Sequence, residues 1–367
     1  MRLILLTAGG RAGADFFHSL IDGHPEILQF PGYLRIDSKF KILLKKKNLN
    51  DKAELFSNLY PEFFNSKINK FEQWDKLGER RNKSFKVDKL KFKKYFIQLS
   101  KRQKKLNNFE ILKNLHLAYF LARKKNIKSC KILFVHTHLL SWTKEFVKLF
   151  NLKKVDILHT IRHPLSSLSS PISSWLRYEK GKHFFSKDLF FQINKVVNCI
   201  DDLSNLGNVH IIQLEKLHLK NRKLFQNFCK KFKIKYCNSL TKSTKNNLLW
   251  WGDVLSKKKL NGINKNFKIK IYEEVFFKRD LIFFQCITEN IINKYKYKFY
   301  YEKKNIIFNL IPMKCEILVW KNTFKNLFFG GFRWKHLISI PFFYLLRIII
   351  INKTLINFKK SRLPNAF

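Results

Sequence analysis

Leu3-Ile-Leu-Leu-Thr-Ala-Gly-Gly-Arg-Ala-Gly-Ala-Asp-Phe-Phe-His18 is the stretch of sequence that decides the fold. Its four leading apolar residues predict a short buried strand. Residues 8–13 predict a turn of small side chains with one cation, Arg11, and residues 14–22 predict a helix. A strand that runs through a glycine-rich turn into a helix directs free backbone N–H groups and the positive helix end at one point. That point suits a phosphate group; the alternative is a turn that holds no ligand.

The charge of the chain favours an anionic partner. Its 367 residues include 73 lysines and arginines against 26 aspartates and glutamates, which gives a formal net charge of +47. Such a field attracts a nucleotide, a polyanion, a membrane face or nucleic acid. Part of the excess has a compositional explanation, because lysine, asparagine, isoleucine and phenylalanine are the residues that AT-rich codons supply.

The cysteines and the amino terminus indicate the cellular compartment of the protein. The six cysteines are scattered and include no Cys-x-x-Cys pair, so they favour neither a zinc site nor a disulfide framework and suggest a reducing environment. Only four strongly apolar residues precede the glycine turn, which is too short for the apolar region of a secretory signal. We therefore expect a cytoplasmic protein.

The order of elements predicts an α/β fold with a P-loop-like parallel sheet flanked by helices. Further strands are expected at residues 131–136, 155–161 and 209–213, and helical stretches separate them. Residues 37–128 predict a helical insert, and residues 1–302 form the predicted α/β domain. Ligands of such sheets lie beyond the carboxyl ends of the strands, where the glycine turn, His138 and Arg162 are expected.

Residues 303–367 form a basic and hydrophobic C-terminal extension, predicted to be helical. Its apolar run, residues 337–351, is 15 residues long and is broken by Pro341 and Arg347. A bilayer span needs about 20 apolar residues. Two interpretations remain: an interfacial helix on an anionic membrane, which would make the protein peripheral to the inner face of that membrane, and a buried terminal helix.

Four residues at predicted strand ends carry a family resemblance. Arg11 lies in the loop Gly10-Arg-Ala-Gly13, His138 ends the second strand, and Arg162 ends the third with Ser170 eight positions later. This arrangement resembles the sulfotransferase family that uses 3′-phosphoadenylyl sulfate (PAPS), over about residues 1–265. The opening and its Asp-Gly-His-Pro continuation are most similar to bacterial and carbohydrate or protein-tyrosine members.

The resemblance implies where the donor and its product, adenosine 3′,5′-bisphosphate (PAP), would bind. The first loop would hold the 5′-phosphosulfate, and Arg162 and Ser170 would hold the 3′-phosphate. Trp250, Trp251 or Phe267 would face the adenine, and at least one of the two tryptophans is expected to pack in the core. The loop differs from the family pattern, which usually has lysine at position 11 and hydroxyl residues at 14 and 15. The implied donor-binding residues are Gly10, Arg11, Ala12, Gly13, Ala14, Asp15, Phe16, Arg162, Ser170 and Trp251.

The acceptor hydroxyl needs a base, and the resemblance assigns the role of this base to His138. Family members with a similar Lys-Thr-His-Leu segment use that histidine, and neutral imidazole has a suitable pKa. The alternatives are Asp15, His18 and Glu26, because carbohydrate-type members often use an acidic residue. The pair His136 and His138 also suggests a metal, but the sequence reveals no third ligand, so we predict no metal site.

Taken together, the residues and the resemblance imply a sulfotransferase that acts on a hydroxyl group, and we expect a carbohydrate as the acceptor. Arg11 would also stabilise charge on the leaving phosphate, as a catalytic group alongside the base. A P-loop kinase or NTPase is one alternative, although the loop has no Gly-Lys-Ser/Thr. A basic nucleic-acid or membrane-surface binding protein is another. It accounts for the charge but not for the strand-end residues, so we do not expect nucleic acid as a partner.

Overall fold

The central sheet has five parallel strands. The computed structural model describes residues 1–9, 11–152, 154–197, 206–256, 261–302, 310–326, 334–357 and 366. The strands are β1 (Arg2–Ala8), β2 (Ile27–Leu28), β3 (Ile132–His138), β4 (Asp156–Ile161) and β5 (Asn208–Gln213). Their order across the sheet is β2-β3-β1-β4-β5, and every pair is parallel. The predicted parallel sheet is confirmed, and β2 is a strand that the sequence prediction missed.

The strand order places a ligand crevice beside β1. The chain lays down β2 and β3 on one side of β1, then crosses to the other side for β4 and β5. At such a switch point the loops after neighbouring strands run in opposite directions and leave a crevice at the carboxyl edge of the sheet. The loop after β1 lies between the ends of β3 and β4, so it faces that crevice from the centre of the sheet.

The strands are apolar because both faces of the sheet are covered. Ile4, Leu5 and Leu6 of β1 are fully buried, and they alternate between two apolar clusters on opposite faces. One face packs against the helices that follow the glycine loop and β5; the other packs against the insert. The helices of the α/β part are α1 (Ala14–Ile21), α7 (Leu140–Leu149), α8 (Pro164–Arg177), α9 (Ser186–Val197), α10 (Leu214–Leu219) and α11 (Asn221–Phe232).

Helix α8 differs from the prediction in one respect. The sequence predicts an irregular middle at Pro171, because proline removes a backbone donor. In the structure α8 continues from Pro164 to Arg177 with Pro171 inside it. Serine side chains of α8 hydrogen-bond to neighbouring loops: Ser166 Oγ donates to the Lys270 carbonyl at 2.6 Å, and Ser169 Oγ accepts from the Tyr272 N–H at 3.1 Å. These contacts fix the helix from outside.

The predicted insert is helical at both ends and irregular in the middle. Its helices are α2 (Ser38–Lys45), α3 (Leu49–Leu59), α4 (Pro61–Phe64), α5 (Lys89–Lys101) and α6 (Asn108–Ala122), between β2 and β3. Buried aromatic side chains hold them together; Phe56, for example, packs on Phe30 with ring centres 5.0 Å apart and on Phe92 at 5.7 Å. Residues 69–87 contain no helix, and this segment reaches the crevice.

A short hairpin also reaches the crevice. Strands β6 (Thr244–Lys245) and β7 (Leu248–Leu249) pair antiparallel, and Asp22 at the end of α1 anchors them. The Asp22 carboxylate accepts from Thr244 Oγ1 and from the Asn247 N–H, both at 2.8 Å. The anchor directs Lys245 into the interior, where its side chain is buried.

The C-terminal part is helical where the structure describes it. It contains α12 (Lys278–Ile287), α13 (Glu289–Lys294), α14 (Lys314–Asn326) and α15 (Lys335–Asn357). Helix α15 packs along α9 and touches α12 and α14. By length and composition α15 could cross a membrane. The predicted α/β class, flanking helices, helical insert and helical tail are therefore confirmed.

Candidate active site

A cavity of about 660 Å³ lies at the carboxyl edge of the sheet, at the switch point. It brings together most of the residues predicted from sequence. Those that line it are Arg11, Gly13, Ala14, Asp15, Phe16, His138, Arg162, Ser170 and Trp251. Ala12 is buried beside the loop and does not line the cavity, and Gly10 lies outside the described residues.

Gly13 shapes the loop after β1. Its φ of +85° lies in the left-handed region, and a Cβ at this position would meet Leu214 Cδ1 at 2.5 Å. Any other residue would therefore be strained and would clash. Helix α1 begins at the next residue, with the first backbone bond running from the Phe17 N–H to the Gly13 carbonyl at 2.8 Å. Gly13, Ala14, Asp15 and Phe16 line the cavity, and the N–H groups of a first helical turn have no partner within the helix.

The loop is held against α8. Ser167 Oγ donates to the Gly9 carbonyl at 3.1 Å, and the Gly9 N–H contacts the Thr160 carbonyl of β4 at 3.4 Å. Three residues further along α8, Ser170 is 9% exposed and lines the cavity. Ser170, which the eight-residue spacing from Arg162 suggested as a phosphate contact, thus lines the cavity, and Ser167 of the same helix contacts the loop.

Arg162 presents a buried donor without a partner. Its Nε is buried and makes no hydrogen bond with any residue in the described part of the chain. Burial lowers the pKa of its guanidinium, while the nearby Glu215 carboxyl opposes that shift. Glu215 accepts from the His163 N–H at 2.9 Å and so holds the turn after β4. A buried cation with an unused donor beside a cavity is suited to bind an anion.

Arg11, the second predicted cation, is already paired. Its Nη2 lies 3.0 Å from Asp253 Oδ2, and both side chains are partly exposed. Asp253 follows Trp251 in the loop after β7 and also accepts from Ser256 Oγ at 2.7 Å. The pair links the glycine loop to that later loop. An anion bound at Arg11 would share or displace Asp253.

Asp15 lies between two histidines. Its carboxylate oxygens are 3.8 Å from His136 Nδ1 and 3.7 Å from His138 Nδ1. Burial opposes ionisation of Asp15, yet the histidines together with Lys245 and Arg11 hold the pKa of its carboxyl below the ordinary value. These separations exceed a hydrogen bond, so a small movement or a water molecule would be needed to couple the groups.

His138 reaches the cavity through an irregularity of β3. The pairing register with β1 shifts between Leu6 and Thr7, so that Thr7 lies opposite His138. His138 itself has a φ of +61°, in the left-handed region. Its ring stacks on Tyr33 with centres 4.7 Å apart. Strained backbone of this kind is common at functional sites.

Both histidines are neutral near pH 7. Burial lowers the pKa of His136 to about 3. Burial also lowers the pKa of His138 below its ordinary value; Asp15 opposes this shift, and Lys195 and Arg11 add to it. His138 is 34% exposed in its side chain and His136 is fully buried. His138 can therefore accept a proton from a molecule in the cavity, whereas His136 is enclosed.

The cavity residues that the sequence analysis missed include one carboxyl group and one amine, Glu72 and Lys245. Glu72 comes from the irregular part of the insert, and burial raises the pKa of its carboxyl to about 8, with Asp15 adding to the shift. Lys245 lies across from it, with its Nζ donating to the Pro31 carbonyl at 2.9 Å and lying 4.9 Å from the centre of the Trp250 ring. Neither residue follows a strand of the main sheet, so no strand-end pattern identified them.

Glu26 is not part of the cavity, which corrects one predicted candidate for the base. It precedes β2, at the amino edge of the sheet, and pairs there with Lys131. Its other oxygen accepts from the Lys235 N–H at 2.6 Å. His24 contacts the Lys235 carbonyl at 2.9 Å. The polar residues of the Asp-Gly-His-Pro-Glu segment therefore anchor neighbouring chain segments.

His18, another candidate, is buried in α1 below the cavity floor. Its ring is 1% exposed, and its centre lies 5.1 Å from that of His136. Its Nδ1 is 3.5 Å from Lys245 Nζ. Burial and the Lys245 charge hold its pKa well below the ordinary value. His18 is closed off from the cavity and supports the residues that line it.

The three aromatic residues predicted to face the adenine have different surroundings. Trp251 lines the cavity, with its indole N–H donating to the Gly78 carbonyl at 2.8 Å. Trp250 also lines the cavity, but it is 5% exposed and packs in the core, as expected for at least one of the two tryptophans. Phe267 stacks on His218, which in turn stacks on Phe16, each at 4.6 Å between centres.

Asp15, His136 and His138 could also hold a metal ion. One ligand atom from each lies within 4.8 Å of the others. The sequence suggested two histidines and no third ligand, and the fold supplies Asp15. The cations Arg11 and Lys245 act on the same carboxylate, and they oppose a divalent ion there.

The chain matches no protein-family model and no curated protein. Among solved structures it is similar to the sulfotransferase domain from the curacin biosynthetic pathway, with 15% identity and a TM-score of 0.35 over 88% of this chain and 97% of that one. It is also similar to the sulfotransferase domain from the Synechococcus PCC 7002 olefin synthase, with 11% identity and a TM-score of 0.40 over 82% of this chain and 96% of that one. Likeness at this level assigns no activity, and the chemistry has to follow from the cavity's own side chains.

Proposed function

We propose that this chain is a sulfotransferase that moves a sulfuryl group from PAPS to a hydroxyl acceptor and leaves PAP. The observation that carries the proposal is Arg162, which lines the same cavity as Arg11 and whose Nε is buried without a hydrogen-bond partner among the described residues. Two of the cavity's cations, Arg11 and Arg162, suit a ligand with two separated phosphate groups. PAPS and PAP have this property, and adenosine 5′-phosphate does not.

The two ends of the donor would be held differently. At one end, Arg11 and the N–H groups of the first turn of α1 bind the 5′-phosphate and stabilise its growing charge as the sulfuryl group leaves. At the other end, Arg162 binds the 3′-phosphate through a forked, charge-assisted contact, and Ser170 adds a neutral donor. Trp251 offers an aromatic face between them.

The transfer needs one proton to be removed. The acceptor hydroxyl oxygen forms a new bond to sulfur, and the bond from sulfur to the 5′-phosphate oxygen breaks. The electron pair of the broken bond stays on the phosphate. His138 is neutral, lines the cavity and is open to solvent on one side, so it takes the hydroxyl proton. The Asp15 carboxylate, 3.7 Å away, stabilises the imidazolium that forms.

We propose a carbohydrate as the acceptor. The cavity combines aromatic side chains, Tyr33, Trp175 and Trp251, with acidic and basic groups that can hydrogen-bond to hydroxyls. Flat aromatic faces with a few placed polar groups are typical of sites for small polar ligands. Transfer of labelled sulfate from PAPS to a panel of mono- and oligosaccharides, with phenols and simple alcohols for comparison, tests this part separately.

The donor proposal is tested by comparing two ligands on three proteins. Wild type should bind PAP more tightly than adenosine 5′-phosphate. Arg162→Ala should lose roughly 10- to 100-fold in PAP affinity, since a hydrogen bond to a charged group contributes about 1.5–3 kcal/mol, and should bind adenosine 5′-phosphate unchanged. Arg11→Ala should weaken both ligands. Isothermal titration calorimetry measures each affinity.

The control is Arg80→Ala, which removes the same charge from an exposed position on the insert. If the net charge of +47 attracts any nucleotide without a site, Arg80→Ala and Arg162→Ala will weaken PAP binding alike. Equal affinity of the wild type for PAP and adenosine 5′-phosphate would refute the donor assignment. An Arg162→Ala protein with the PAP affinity of the wild type would refute it too.

A further inference from the structure

In the described part of the chain, helix α15 has an exposed apolar face. The exposed side chains on this face are Ile338, Phe342, Leu345 and Ile349, together with Trp334 just before the helix, each between 57% and 72% exposed. Their spacing of four, four, three and four residues puts them on one side of a helix. We call these five residues the C-terminal stripe. A continuous row of large apolar side chains in water is unusual for a surface that has no partner.

The opposite side of α15 is fastened to the rest of the molecule. Arg347 is 1% exposed, and its Nε and Nη2 donate to the two carboxylate oxygens of Glu316 in α14, each at 3.1 Å. Phe343 packs on Phe190 of α9 with ring centres 5.4 Å apart, and Ile351 is fully buried. The helix is therefore held along the body of the protein with the stripe facing outward.

This attachment decides the orientation of α15 at a membrane. At about 1.5 Å per residue its 23 residues measure roughly 35 Å, enough to cross a bilayer. Crossing would require the Arg347–Glu316 pair, near the middle of the helix, to break or to enter the hydrocarbon, and breaking a buried ion pair is strongly unfavourable. Lying in the plane of the surface keeps the pair intact and places the stripe in the lipid.

Charge around the stripe favours an anionic surface. Lys335 is exposed at the start of α15, and Lys321 and Lys325 are exposed on the adjoining α14. The same helix α14 exposes Ile317 and Phe324, at 42% and 50%. Apolar side chains beside lysines are the composition of interfacial helices, and the net charge of +47 adds a long-range attraction to anionic headgroups.

We propose that α15 docks the protein in plane on an anionic phospholipid surface through the C-terminal stripe. The apolar side chains enter the boundary between headgroups and acyl chains, and the surrounding lysines contact the headgroups. The Arg347–Glu316 pair stays closed and carries the orientation to the α/β domain. The proposal does not depend on the activity of the cavity.

The test is co-sedimentation of the full chain with vesicles. Wild type should bind vesicles of phosphatidylcholine mixed with phosphatidylglycerol, bind vesicles of phosphatidylcholine alone more weakly, and lose binding as salt rises. The variant with Ile338→Asn, Phe342→Asn and Leu345→Asn should lose about tenfold or more in affinity. These side chains are exposed, so their replacement leaves the packing of α15 in place.

The matched control carries Ile42→Asn, Ile68→Asn and Leu90→Asn, which removes three exposed apolar side chains far along the sequence, at 51%, 53% and 79% exposure. It should bind vesicles as wild type does. Circular dichroism and thermal melting of all three proteins verify that they are folded.

Four results would overturn the proposal. The stripe variant could bind vesicles as tightly as wild type, or the control could lose as much affinity as the stripe variant. Light scattering could show a dimer that the stripe variant dissociates, with no vesicle binding, which would assign the stripe to a second copy of the chain. Wild-type protein that resists extraction from membranes by alkaline carbonate would indicate a spanning helix.

Discussion

The guanidinium of Arg11 and the carboxylate of Asp253 lie 3.0 Å apart and join two loops that are 242 residues apart in sequence. One comes from the glycine loop after β1, the other from the segment after the β6–β7 hairpin. The contact places a competing anion at the cation that would receive the 5′-phosphate. The pair therefore partly neutralises Arg11.

Replacing Asp253 by asparagine should strengthen binding of PAP by roughly two- to fivefold, because a partly exposed ion pair contributes up to about 1 kcal/mol and its loss frees Arg11. Calorimetry of PAP binding measures the change. Ser256→Ala is the control, since it removes a hydrogen bond to Asp253 and keeps the charge. Weaker binding in Asp253→Asn would mean that Asp253 positions Arg11 and does not compete with the ligand.

The pH dependence of sulfate transfer should distinguish His138 from Glu72 as the base. The pKa of His138 is lowered from 6.5, so the neutral form that accepts a proton is present at pH 7 and is lost only as the pH falls below about 6.5. Glu72 has a pKa of about 8, so a rate that depended on its ionised form would rise through that value. We expect a rate that is constant above about pH 7 and falls only below about 6.5.

His138→Gln should lower kcat by about 10²- to 10⁴-fold, the usual contribution of a positioned base. Glu72→Gln is the companion variant, and its rate of transfer should still fall as the pH drops below about 6.5. If Glu72→Gln abolishes transfer and His138→Gln retains it, the base is the residue that sequence analysis did not find.

Replacing Asp15 by asparagine should separate binding from turnover. The carboxylate stands beside the anion-binding turn, so its removal should tighten PAP binding, by on the order of tenfold for one unit charge a few ångströms away. It also stabilises the protonated His138, so kcat should fall by a similar factor. Steady-state kinetics with PAPS give both numbers.

Glu62→Gln is the control for Asp15→Asn, because Glu62 lines the same cavity and does not contact the histidines. It should leave kcat close to the wild-type value. A lower kcat in both variants would indicate a general electrostatic effect, and an unchanged kcat in Asp15→Asn would separate the carboxylate from catalysis.

Sulfate transfer should survive removal of metal. Asp15, His136 and His138 are grouped closely enough to ligate an ion, but Arg11 and Lys245 make the position unfavourable for a cation. Activity after dialysis against EDTA should equal the untreated activity. If EDTA abolishes the activity, and zinc restores it in the wild type but not in His136→Gln, the cluster is a metal centre.

Several features of the fold and the cavity were predictable because they depend on local sequence. Arg11, His138 and Arg162 each follow an apolar run that could only be a buried strand, and parallel strands end at one edge. Their meeting in one cavity needs no knowledge of loop paths. Gly13 was predictable for the same reason, since a tight turn between strand and helix needs a residue that tolerates positive φ.

Other features could not be predicted, because they depend on contacts between distant segments. Strand β2 has only two residues, too few to produce a pattern, and it forms because it pairs with Ile132 and Leu133 of β3. Glu26 looked like a residue of the site and is held at the opposite edge by Lys131 and the Lys235 N–H. Glu72 enters the cavity from a stretch without regular structure.

By itself the sequence determined the α/β class, the glycine turn at the centre of the sheet and the cations at the strand ends, because hydrophobic periodicity and turn chemistry act over a few residues. Only the tertiary structure decided which side chains share the cavity with those cations. Asp253 on Arg11, Asp15 between two histidines, and Lys245 on the Pro31 carbonyl are meetings of segments more than a hundred residues apart. Such contacts follow from how helices, insert and hairpin pack on the sheet, and no local pattern encodes them.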